Sequence, residues 1–475
     1  MVPATLRWTA AYREVDLYQA ALRVYTKALF QWRKALSVSR DGKTLYDFCR
    51  HGLRNLEGIH RDLSTGRFTF RPGAARRHTF NGKVRTLYLY PWEERIVDLL
   101  LYRLLSRHLD RCLSPSSYAY RWSGYGVDLC QTRIGSVLER LPKPLFVLKR
   151  DISNFFASID HGILRAQLAA IVAPDDYLGR LLDQRVRFAY EADGQVVAAE
   201  RGVPFGTPIA CLFANLYLTP LDTRMETVEG VSYFRYADDI LGLAAAPETA
   251  RQAADACDAT LAELKLAVKP SHSLEYVLAE HPVPADPFLW VPKFKHLGLE
   301  FRANGVTGLS RDKARKIRNL FRYALRRKAS RFRRMACPEK RAHLAVEIAR
   351  AVLLDGASHV AIIDYYLKHV RDEAQLRLID RWLAEEVLAV TFGSGHRKGN
   401  FRRLGFDRLR AMGLPSLVHR SRLIRHGEIQ TSFFRWQECQ RAKGARGVAP
   451  GSVSLFPKPR SSRHETDPVG KGDGL

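Results

Sequence analysis

The first 110 residues alternate between helical and extended patterns of apolar positions. Apolar residues recur at helical spacing in the segments 16–36, 45–63 and 93–109. Between the last two, residues 68–90 place Thr, Phe, Tyr and Val on both sides of Asn81-Gly82, a usual two-residue turn of a β-hairpin. The amino-terminal part is therefore predicted to be helical, with one hairpin.

The middle of the chain mixes short strands with helices. Apolar strands are expected at 145–148, 231–234 and 240–243, and helices at 164–172 and 251–264. The last two strands flank Tyr236-Ala237-Asp238-Asp239, which predicts strand, tight turn, strand. Because strands and helices do not alternate strictly, the pattern favours an α+β fold over a doubly wound sheet.

From Ser310 onward the helical pattern dominates. Half of the residues from Arg311 to Arg334 are Lys or Arg. An apolar stripe runs through this segment at helical spacing, formed by Ile317, Leu320, Phe321, Ala324 and Leu325. Such a helix is either a solvated charged helix or one that packs on protein and meets phosphates with its other faces; the density of like charges favours the second.

Composition sharpens this picture. The chain has 475 residues, a formal net charge of +27 and a hydrophobic content of 46%, which together indicate a globular body that attracts polyanions, nucleic acid above all. The alternative is a ribosome-associated or merely soluble basic protein. The seven cysteines include no Cys-x-x-Cys pair, which argues against a disulfide framework or a structural zinc site and favours the cytoplasm. No uncharged apolar stretch suggests a transmembrane helix, so no membrane partner is expected.

Three aspartates are candidates for a metal site. Asp238 and Asp239 lie in the predicted turn, and Asp151 closely follows the apolar strand 145–148. Nucleotide polymerisation needs two divalent cations, which prefer carboxylate oxygens. Aspartates are also common in turns for local hydrogen-bonding reasons, so the pair alone is weak evidence. The order of the surrounding motifs strengthens it.

Four segments then resemble, in order, the motifs of bacterial reverse transcriptases related to group II intron proteins, retrons and antiviral defence enzymes. They are the first catalytic motif (150–156 with 159–161), the template-and-substrate loop and helix (202–208 with 214–218), the metal-binding turn (234–239) and the primer-grip hairpin (296–301). The resemblance covers roughly residues 45–334. It implies a right-hand polymerase with fingers and an antiparallel palm sheet, then a helical thumb and a basic helical carboxy-terminal region.

The resemblance also implies a domain order and a metal site. The expected regions are 1–75 (helical fingers extension), 76–305 (fingers and palm), 306–443 (thumb and nucleic-acid-binding region) and 444–475 (disordered tail). Asp151, Asp238 and Asp239, with the main-chain carbonyl of Ile152, would hold two Mg²⁺ ions, which Mn²⁺ would replace. Asp151 and Asp238 are expected to be direct ligands to both ions, and Asp239 to be less directly involved.

Further residues are implied at the nucleotide. Phe156 resembles the family's steric gate, which excludes a 2′-hydroxyl; the alternative is a core phenylalanine. Lys83 and Arg85, beside the predicted hairpin turn, resemble a triphosphate clamp; the alternative is an ordinary basic hairpin. Two positions depart from the family pattern: Phe205, before Gly206, replaces a usual Gln, and His272 replaces a common Lys.

Contacts with template and primer are implied elsewhere. Tyr118 or Tyr120 is a candidate for stacking on bases, although either is equally suited to the core. The remaining predicted nucleic-acid-binding residues are Arg95, Arg121, Gly298, Arg315, Lys316 and Arg322.

The resulting prediction is an RNA-directed DNA polymerase that adds dNTPs to a primer 3′ end on an RNA template, with a DNA or RNA primer. The endonuclease with paired cysteines that many intron proteins carry has no counterpart in this sequence, which favours a stand-alone enzyme, with antiviral defence and a cognate noncoding RNA as an analogy. The alternatives are a group II intron maturase-type RNA-binding splicing protein and an RNA-dependent RNA polymerase, the latter disfavoured by Phe156.

Overall fold

The strands within the described residues form three sheets, of which the five-stranded one is the palm sheet. The computed structural model describes residues 5–27, 37–80, 83–110, 112–121, 124–269, 274–354 and 360–429. Within these ranges the strands are β1 (Gly73–Phe80), β2 (Lys83–Leu89), β3 (Leu145–Asp151), β4 (Ala189–Ala192), β5 (Gln195–Ala198), β6 (Val231–Tyr236), β7 (Asp239–Ala244), β8 (Leu274–Leu278), β9 (Leu289–Val291), β10 (Lys293–His296), β11 (Leu299–Arg302) and β12 (Thr307–Leu309).

The helices divide into a group before the palm turn and a group after it. The first group is α1 (Trp8–Ala11), α2 (Glu14–Lys27), α3 (Leu45–Arg50), α4 (Gly52–Ser64), α5 (Trp92–Leu109), α6 (Val127–Arg140), α7 (Phe155–Ser158), α8 (His161–Ala169), α9 (Tyr177–Val186), α10 (Pro208–Tyr217) and α11 (Thr219–Glu226). The second group is α12 (Pro247–Glu263), α13 (Arg311–Arg326), α14 (Ala329–Arg334), α15 (Pro338–Leu354), α16 (Val360–Leu367), α17 (Glu373–Phe392), α18 (Asn400–Arg403), α19 (Phe406–Ala411) and α20 (Leu417–Arg425).

The palm sheet has the strand order β6-β7-β3-β8-β9. Neighbouring strands are antiparallel except β8 and β9, which are parallel. β3 lies in the middle because its apolar run 145–148 is suited to burial on both faces, and all four residues are buried. The predicted α+β class is confirmed by this mixed arrangement of sheet and helices.

Each face of the palm sheet contributes to a different hydrophobic core. Successive side chains of a strand point to opposite faces. Leu148 and Ile240 therefore belong to the core shared with α5, α9 and α10. Val147 and Leu241 belong to the core shared with α6, the β10–β11 hairpin and the carboxy-terminal helices. The edge of the sheet where β3 ends and β7 begins lies between these two cores.

A second sheet carries the predicted fingers hairpin. β1 and β2 pair antiparallel from Ala74 opposite Leu89 to Phe80 opposite Lys83, which confirms the hairpin. The turn residues Asn81 and Gly82 lie outside the described residues. β4 adds to β1 in parallel and pairs with β5, so the sheet order is β2-β1-β4-β5.

From Arg311 onward the regular elements of the described residues are helices, as the pattern from Ser310 predicted. Helix α13 buries Ala314, Ile317, Phe321 and Leu325 against α15 and α17, which confirms the apolar stripe in the basic segment. The described residues all belong to one compact unit, and the domain boundaries predicted within it stay predictions. The predicted tail 444–475 lies outside the described residues.

Some helix limits differ from the sequence pattern. The helix predicted over 45–63 is split at His51, whose ψ of 36° departs from helical geometry, and Gly52 begins the second piece. Helix α2 is described from Glu14 to Lys27, and residues 28–36 of its predicted extension lie outside the described residues. Among the described helices, none is both long and apolar enough to cross a membrane.

Candidate active site at the palm turn

The link between β6 and β7 is the tight turn predicted from the sequence. Tyr236 and Asp239 pair across the strands, which leaves Ala237 and Asp238 as the two turn residues. Ala237 has a φ of 58°, in the left-handed region, where a residue with a Cβ pays roughly 1–2 kcal/mol. Strain of this kind persists only where neighbouring groups hold the backbone in place.

A buried arginine supplies that support. Arg235 and Asp222 are both fully buried, and the Nε and Nη2 atoms of Arg235 donate to the two carboxylate oxygens at 2.6 and 2.5 Å. Its Nη1 donates to the carbonyl of Ala237 at 3.2 Å and to Oδ1 of Asn215 at 3.1 Å, and its Nη2 donates to Oγ of Ser117 at 2.8 Å. Arg235 thus ties α10, α11 and the segment before α6 to the turn.

Strand β3 brings a third carboxylate to this turn. Asp151 and Asp239 are register partners in the antiparallel pair of β3 and β7. Burial raises the pKa of Asp238, and the negative charge of Asp151 raises it further. The two carboxylates are therefore close enough to repel each other, although they come from different motifs of the sequence.

Asp239 acts on a different set of groups. Burial lowers the pKa of the Lys149 ammonium, and the carboxylate of Asp239 opposes that effect. Burial raises the pKa of the Cys130 thiol, and the charge of Asp239 adds to it. Asp239 therefore interacts with groups on β3 and α6, whereas Asp238 interacts with Asp151. That Asp239 is the less direct ligand stays a prediction.

The carboxylates of Asp151 and Asp238 are suited to a divalent cation. Within the described ranges, no cluster of three or more His, Cys, Asp or Glu side chains is arranged as a metal site. The Asp151–Asp238 pair nevertheless has the chemistry of one, because a cation between two carboxylates would relieve the repulsion that raises the Asp238 pKa. Ile152 and Val268 form an isolated antiparallel bridge. Its two hydrogen bonds run from the Ser153 amide to the Ala267 carbonyl and from the Lys269 amide to the Asp151 carbonyl. The Ile152 carbonyl therefore takes no part in this pairing.

A lysine touches this pair. Nζ of Lys269 lies 3.1 Å from Oδ2 of Asp151, and the Lys269 amide donates to the Asp151 carbonyl at 2.8 Å. Its charge also opposes the raised pKa of Asp238. Lys269 therefore partly neutralises the carboxylates. His272, three residues further on, was predicted to act here and lies outside the described residues.

The two phenylalanines after Asp151 divide their roles. Phe155 is buried in the core, whereas Phe156 is half-buried at its margin. Tyr120 lies on the other side of Phe156, with ring centroids 6.4 Å apart. Burial raises the pKa of the Tyr120 hydroxyl, and the nearby charge of Asp238 raises it further. Tyr120 thus lies near both the Phe156 ring and the charge of Asp238, and Phe155 takes the core position.

The loop between Gly202 and Thr207 packs directly on this region. Gly202 has a φ of +83°, and a Cβ there would lie 3.0 Å from the backbone of Phe156 and Ala157, so only glycine fits. The amide of Val203 donates to the carbonyl of Phe156 at 2.9 Å. Thr207 then caps α10 by accepting from the amide of Ala210.

The fingers hairpin reaches the same place through Arg85. The Arg85 guanidinium is exposed, its central carbon lies 5.4 Å from the ring centroid of Phe205, and its charge opposes the raised pKa of Asp238. Lys83 begins β2, but its side chain lies outside the described residues. Of the two predicted clamp residues, Arg85 is the one whose side chain the structure describes, and the clamp itself stays a prediction.

Two predicted nucleic-acid contacts are wrong in this structure. Tyr118 is 2% exposed, packs beside Phe234 and accepts from Arg133, so its ring cannot stack on a base. Arg121 is also buried, and it donates to Asp110 and to the main-chain carbonyls of residues 113, 114 and 117. Both serve the segment that packs against β6, and Tyr120 is the tyrosine that faces the site.

Arg95 and Gly298 were also predicted to contact nucleic acid, and these contacts stay predictions. The Arg95 guanidinium lies 4.1 Å from the Trp92 ring centroid, and burial lowers its pKa. Gly298, with a φ of +85°, lies in the two-residue turn of β10 and β11, where a Cβ would come within 2.6 Å of Lys313. Its role visible in the structure is to allow that turn and the close approach of α13.

Helix α13 presents a basic outer surface. Arg315 and Lys316 are exposed. Arg322 is half-buried instead, with its guanidinium 5.2 Å from the Trp382 ring centroid and 3.5 Å from a carboxylate oxygen of Glu386. Of these three predicted contacts, Arg315 and Lys316 are therefore the ones that face solvent.

Comparison with known proteins agrees with this geometry. Residues 75–301, just under half of the chain, match the family model described as reverse transcriptase (RNA-dependent DNA polymerase). The chain contains a reverse transcriptase domain. Its matched part includes the fingers hairpin, the palm turn and the β10–β11 hairpin. The matched model belongs to the predicted enzyme class, and divalent metal ions are the general cofactor of such domains.

Two solved structures are similar to part of this chain. Apo telomerase from Candida tropicalis is 12% identical with a TM-score of 0.42, over 76% of this chain and 64% of the telomerase chain. The same enzyme truncated from its C-terminal domain is 12% identical with a TM-score of 0.40, over 55% and 60%. The chain thus spans less than two thirds of either telomerase structure. No curated protein matches the sequence.

Sequence reasoning missed the groups that act through other residues. Lys269 lies three residues before His272, with no motif of its own, and Asp222 lies in helix α11, where no motif was predicted. Arg235 lies within the predicted metal-binding motif 234–239, which assigns it no role. The one local signal for these groups is the charge of Arg235 inside the apolar strand β6, because a buried arginine requires a partner of opposite charge.

Proposed function

We propose that the chain is an RNA-directed DNA polymerase that adds dNTPs to a primer 3′ end on an RNA template. The observation that carries the proposal is the Asp151–Asp238 carboxylate pair beside the palm turn of a reverse transcriptase domain. Two Mg²⁺ ions are the proposed cofactor, with Mn²⁺ as a substitute. When bound, they would activate the primer hydroxyl and stabilise the leaving pyrophosphate.

The residues around the pair support a division of roles. Asp151, Asp238 and the carbonyl of Ile152 are proposed to hold the ions, with Asp239 in a secondary position. Arg85, and Lys83 beside it, are proposed to bind the triphosphate, whose charge suits a guanidinium. The exposure of Arg85 and its effect on the Asp238 pKa support this assignment.

Phe156 supports DNA as the product. Its ring is half-buried beside Tyr120, and a bulky ring against the sugar would leave no room for a 2′-hydroxyl. An RNA-dependent RNA polymerase would need that room. Comparing single additions of dNTP and NTP by the purified chain separates the two, and equal use of both would remove the argument for a DNA polymerase.

The main experiment is primer extension by the full chain with Mg²⁺, a primed RNA template and dNTPs. Asp238→Asn is expected to lower the rate at least about 10²-fold, because it removes a carboxylate that is proposed to hold the Mg²⁺ ions. Asp193→Asn, in the exposed turn between β4 and β5, is the matched control and should extend normally. No extension by wild type, or normal extension by Asp238→Asn, would refute the proposal.

The proposed biological role is a stand-alone cytoplasmic enzyme that works with a cognate noncoding RNA, with antiviral defence as one such role. A second candidate is RNA binding of the maturase type, which the exposed basic surface of α13 favours. Sequencing the nucleic acid that copurifies with the full chain distinguishes them. An intron RNA supports the maturase function, whereas a separate noncoding RNA with complementary DNA supports the stand-alone enzyme.

A further inference from the structure

Phe205 lies between the fingers hairpin and the phenylalanine at the sugar position. Its ring meets the Phe156 ring edge to face, with centroids 4.9 Å apart and an interplanar angle of 67°. The carbonyl of Phe205 accepts from the amide of Tyr88 on β2 at 3.2 Å. The Arg85 guanidinium lies over the other part of the ring, 5.4 Å from its centroid. One residue therefore touches the gate, the fingers backbone and the proposed triphosphate ligand.

The remaining neighbours of Phe156 confine its ring on other sides. Phe155 meets it at 5.6 Å and Tyr120 at 6.4 Å, both edge to face. Tyr120 is itself held in a left-handed backbone conformation, with a φ of 55°. Phe205 is the nearest of these three rings. Without Phe205, the Phe156 ring would lose the nearest of its three aromatic neighbours.

Phe205 does not belong to the cores that stabilise the described part of the chain. Phe156 packs at the margin of the core around α10, whereas Phe205 is absent from each of the core clusters and is half-buried. Its side chain contacts Phe156 and Arg85. A change at Phe205 should therefore alter the position of the gate more than the stability of the fold.

A steric gate rejects a 2′-hydroxyl only as far as its ring stays in place. An edge-to-face aromatic contact favours one ring orientation, and its loss lets the ring move aside. Because the Phe205 carbonyl is bonded to β2, movement of the fingers hairpin moves this wall as well. The aromatic side chain of Phe205 is therefore expected to affect sugar selection, in addition to removing the amide of the usual Gln.

We propose that Phe205 is a specificity-determining residue that holds the Phe156 ring against the sugar of the incoming nucleotide and so sets the discrimination between dNTPs and NTPs. The inference deepens the proposed polymerase function and rests on it. Phe205 acts through Phe156 as a positioning residue, and its bond to β2 makes the discrimination depend on the fingers hairpin.

The test is single-nucleotide addition by the full chain on a primed RNA template, with kcat and KM measured for one dNTP and its NTP. Phe205→Leu keeps apolar volume without the ring, and Phe205→Gln introduces the usual amide. Both are expected to lower the dNTP/NTP ratio of kcat/KM by about three- to tenfold, mainly through a lower KM for the NTP. Phe205→Tyr keeps the aromatic ring and should keep the wild-type ratio.

Two further variants separate positioning from general damage. Phe401→Leu removes a half-buried ring far along the chain in α18 and should leave the ratio unchanged. Phe156→Ala should lower the ratio strongly, and adding Phe205→Leu to it should cause no further loss, because the positioned ring is already gone. A folded Phe205→Leu variant with wild-type discrimination would overturn the inference, as would additive effects in the double variant. A wild-type chain that adds neither nucleotide would overturn the proposed function itself, and this inference with it.

Discussion

The pair of Arg235 and Asp222 beneath the palm turn is the most consequential buried charge near the site. Both side chains are fully buried, and two hydrogen bonds of 2.6 and 2.5 Å join them. Burial alone would lower the pKa of Arg235, but the Asp222 carboxylate raises it above its ordinary value, so the guanidinium stays charged. Asp222→Asn keeps the shape of the side chain and removes the compensating charge.

The expected loss of folding stability is large because both side chains of the pair are fully buried from solvent. Removing one partner of a buried ion pair costs about 3–5 kcal/mol, because the remaining charge is left uncompensated. The hydroxyl of Tyr233, which donates to Asp222 at 2.9 Å, also loses part of its acceptor. Since whole domains are stable by only about 5–15 kcal/mol, this single change should remove a large share of the stability.

The assay is urea unfolding at pH 7, followed by the fluorescence of the seven tryptophans. The matched control is Glu339→Gln, which breaks a surface ion pair with Arg408. The side chains of Arg408 and Glu339 are 63% and 49% exposed. That control should cost no more than about 1 kcal/mol. A loss for Asp222→Asn within the range of the control would refute the reasoning that this pair is desolvated.

A double replacement separates the turn from the fold. Asp222→Leu with Arg235→Met removes both charges together and should recover part of the stability lost in Asp222→Asn. It also removes the hydrogen bond from Arg235 to the carbonyl of Ala237, so polymerase activity should stay low while stability returns. Recovery of full activity with stability would show that the arginine does not hold the turn.

Three further predictions concern charge elsewhere in the protein. Lys269→Met removes the cation that competes with metal for Asp151, so the Mg²⁺ concentration for half-maximal extension should fall about two- to tenfold, and an unchanged or higher concentration would contradict this. Burial lowers the pKa of His296 from 6.5 to about 3, so the unfolded chain alone gains a proton as the pH falls below 6.5. Folding stability should therefore drop by about 2 kcal/mol between pH 7 and pH 5, a loss that urea unfolding should not find in His296→Gln. Arg315→Glu with Lys316→Glu should reduce the slope of log K for RNA binding against log salt by about 1.5, and a slope equal to wild type would show that α13 makes no phosphate contact.

Local patterns determined much of this protein in advance. The apolar runs around Tyr236–Asp239 predicted a hairpin because strand alternation and a two-residue turn are properties of a short segment. The stripe in α13 was visible for the same reason, since helical spacing is local. The order of the motifs added the link between Asp151 and that turn, which no single segment contains.

Tertiary structure decided which of several similar side chains faces the site. Tyr118 and Tyr120 lie two residues apart in an irregular segment, where no repeat shows which one is buried; contact with Phe234 buries the first. The adjacent Phe155 and Phe156 carry the same side chain, and the core beside them admits only one fully.

Long-range pairing decided the rest. Lys269 reaches Asp151 across 118 residues, and Arg235 meets Asp222, Asn215 and Ser117 from three other elements. Such contacts depend on how strands and helices pack, which a sequence pattern of single segments does not encode. The sequence by itself determined that carboxylates would stand on a tight turn beside a strand; only the packed chain determined that a buried arginine holds the turn and that a lysine and a second phenylalanine accompany it.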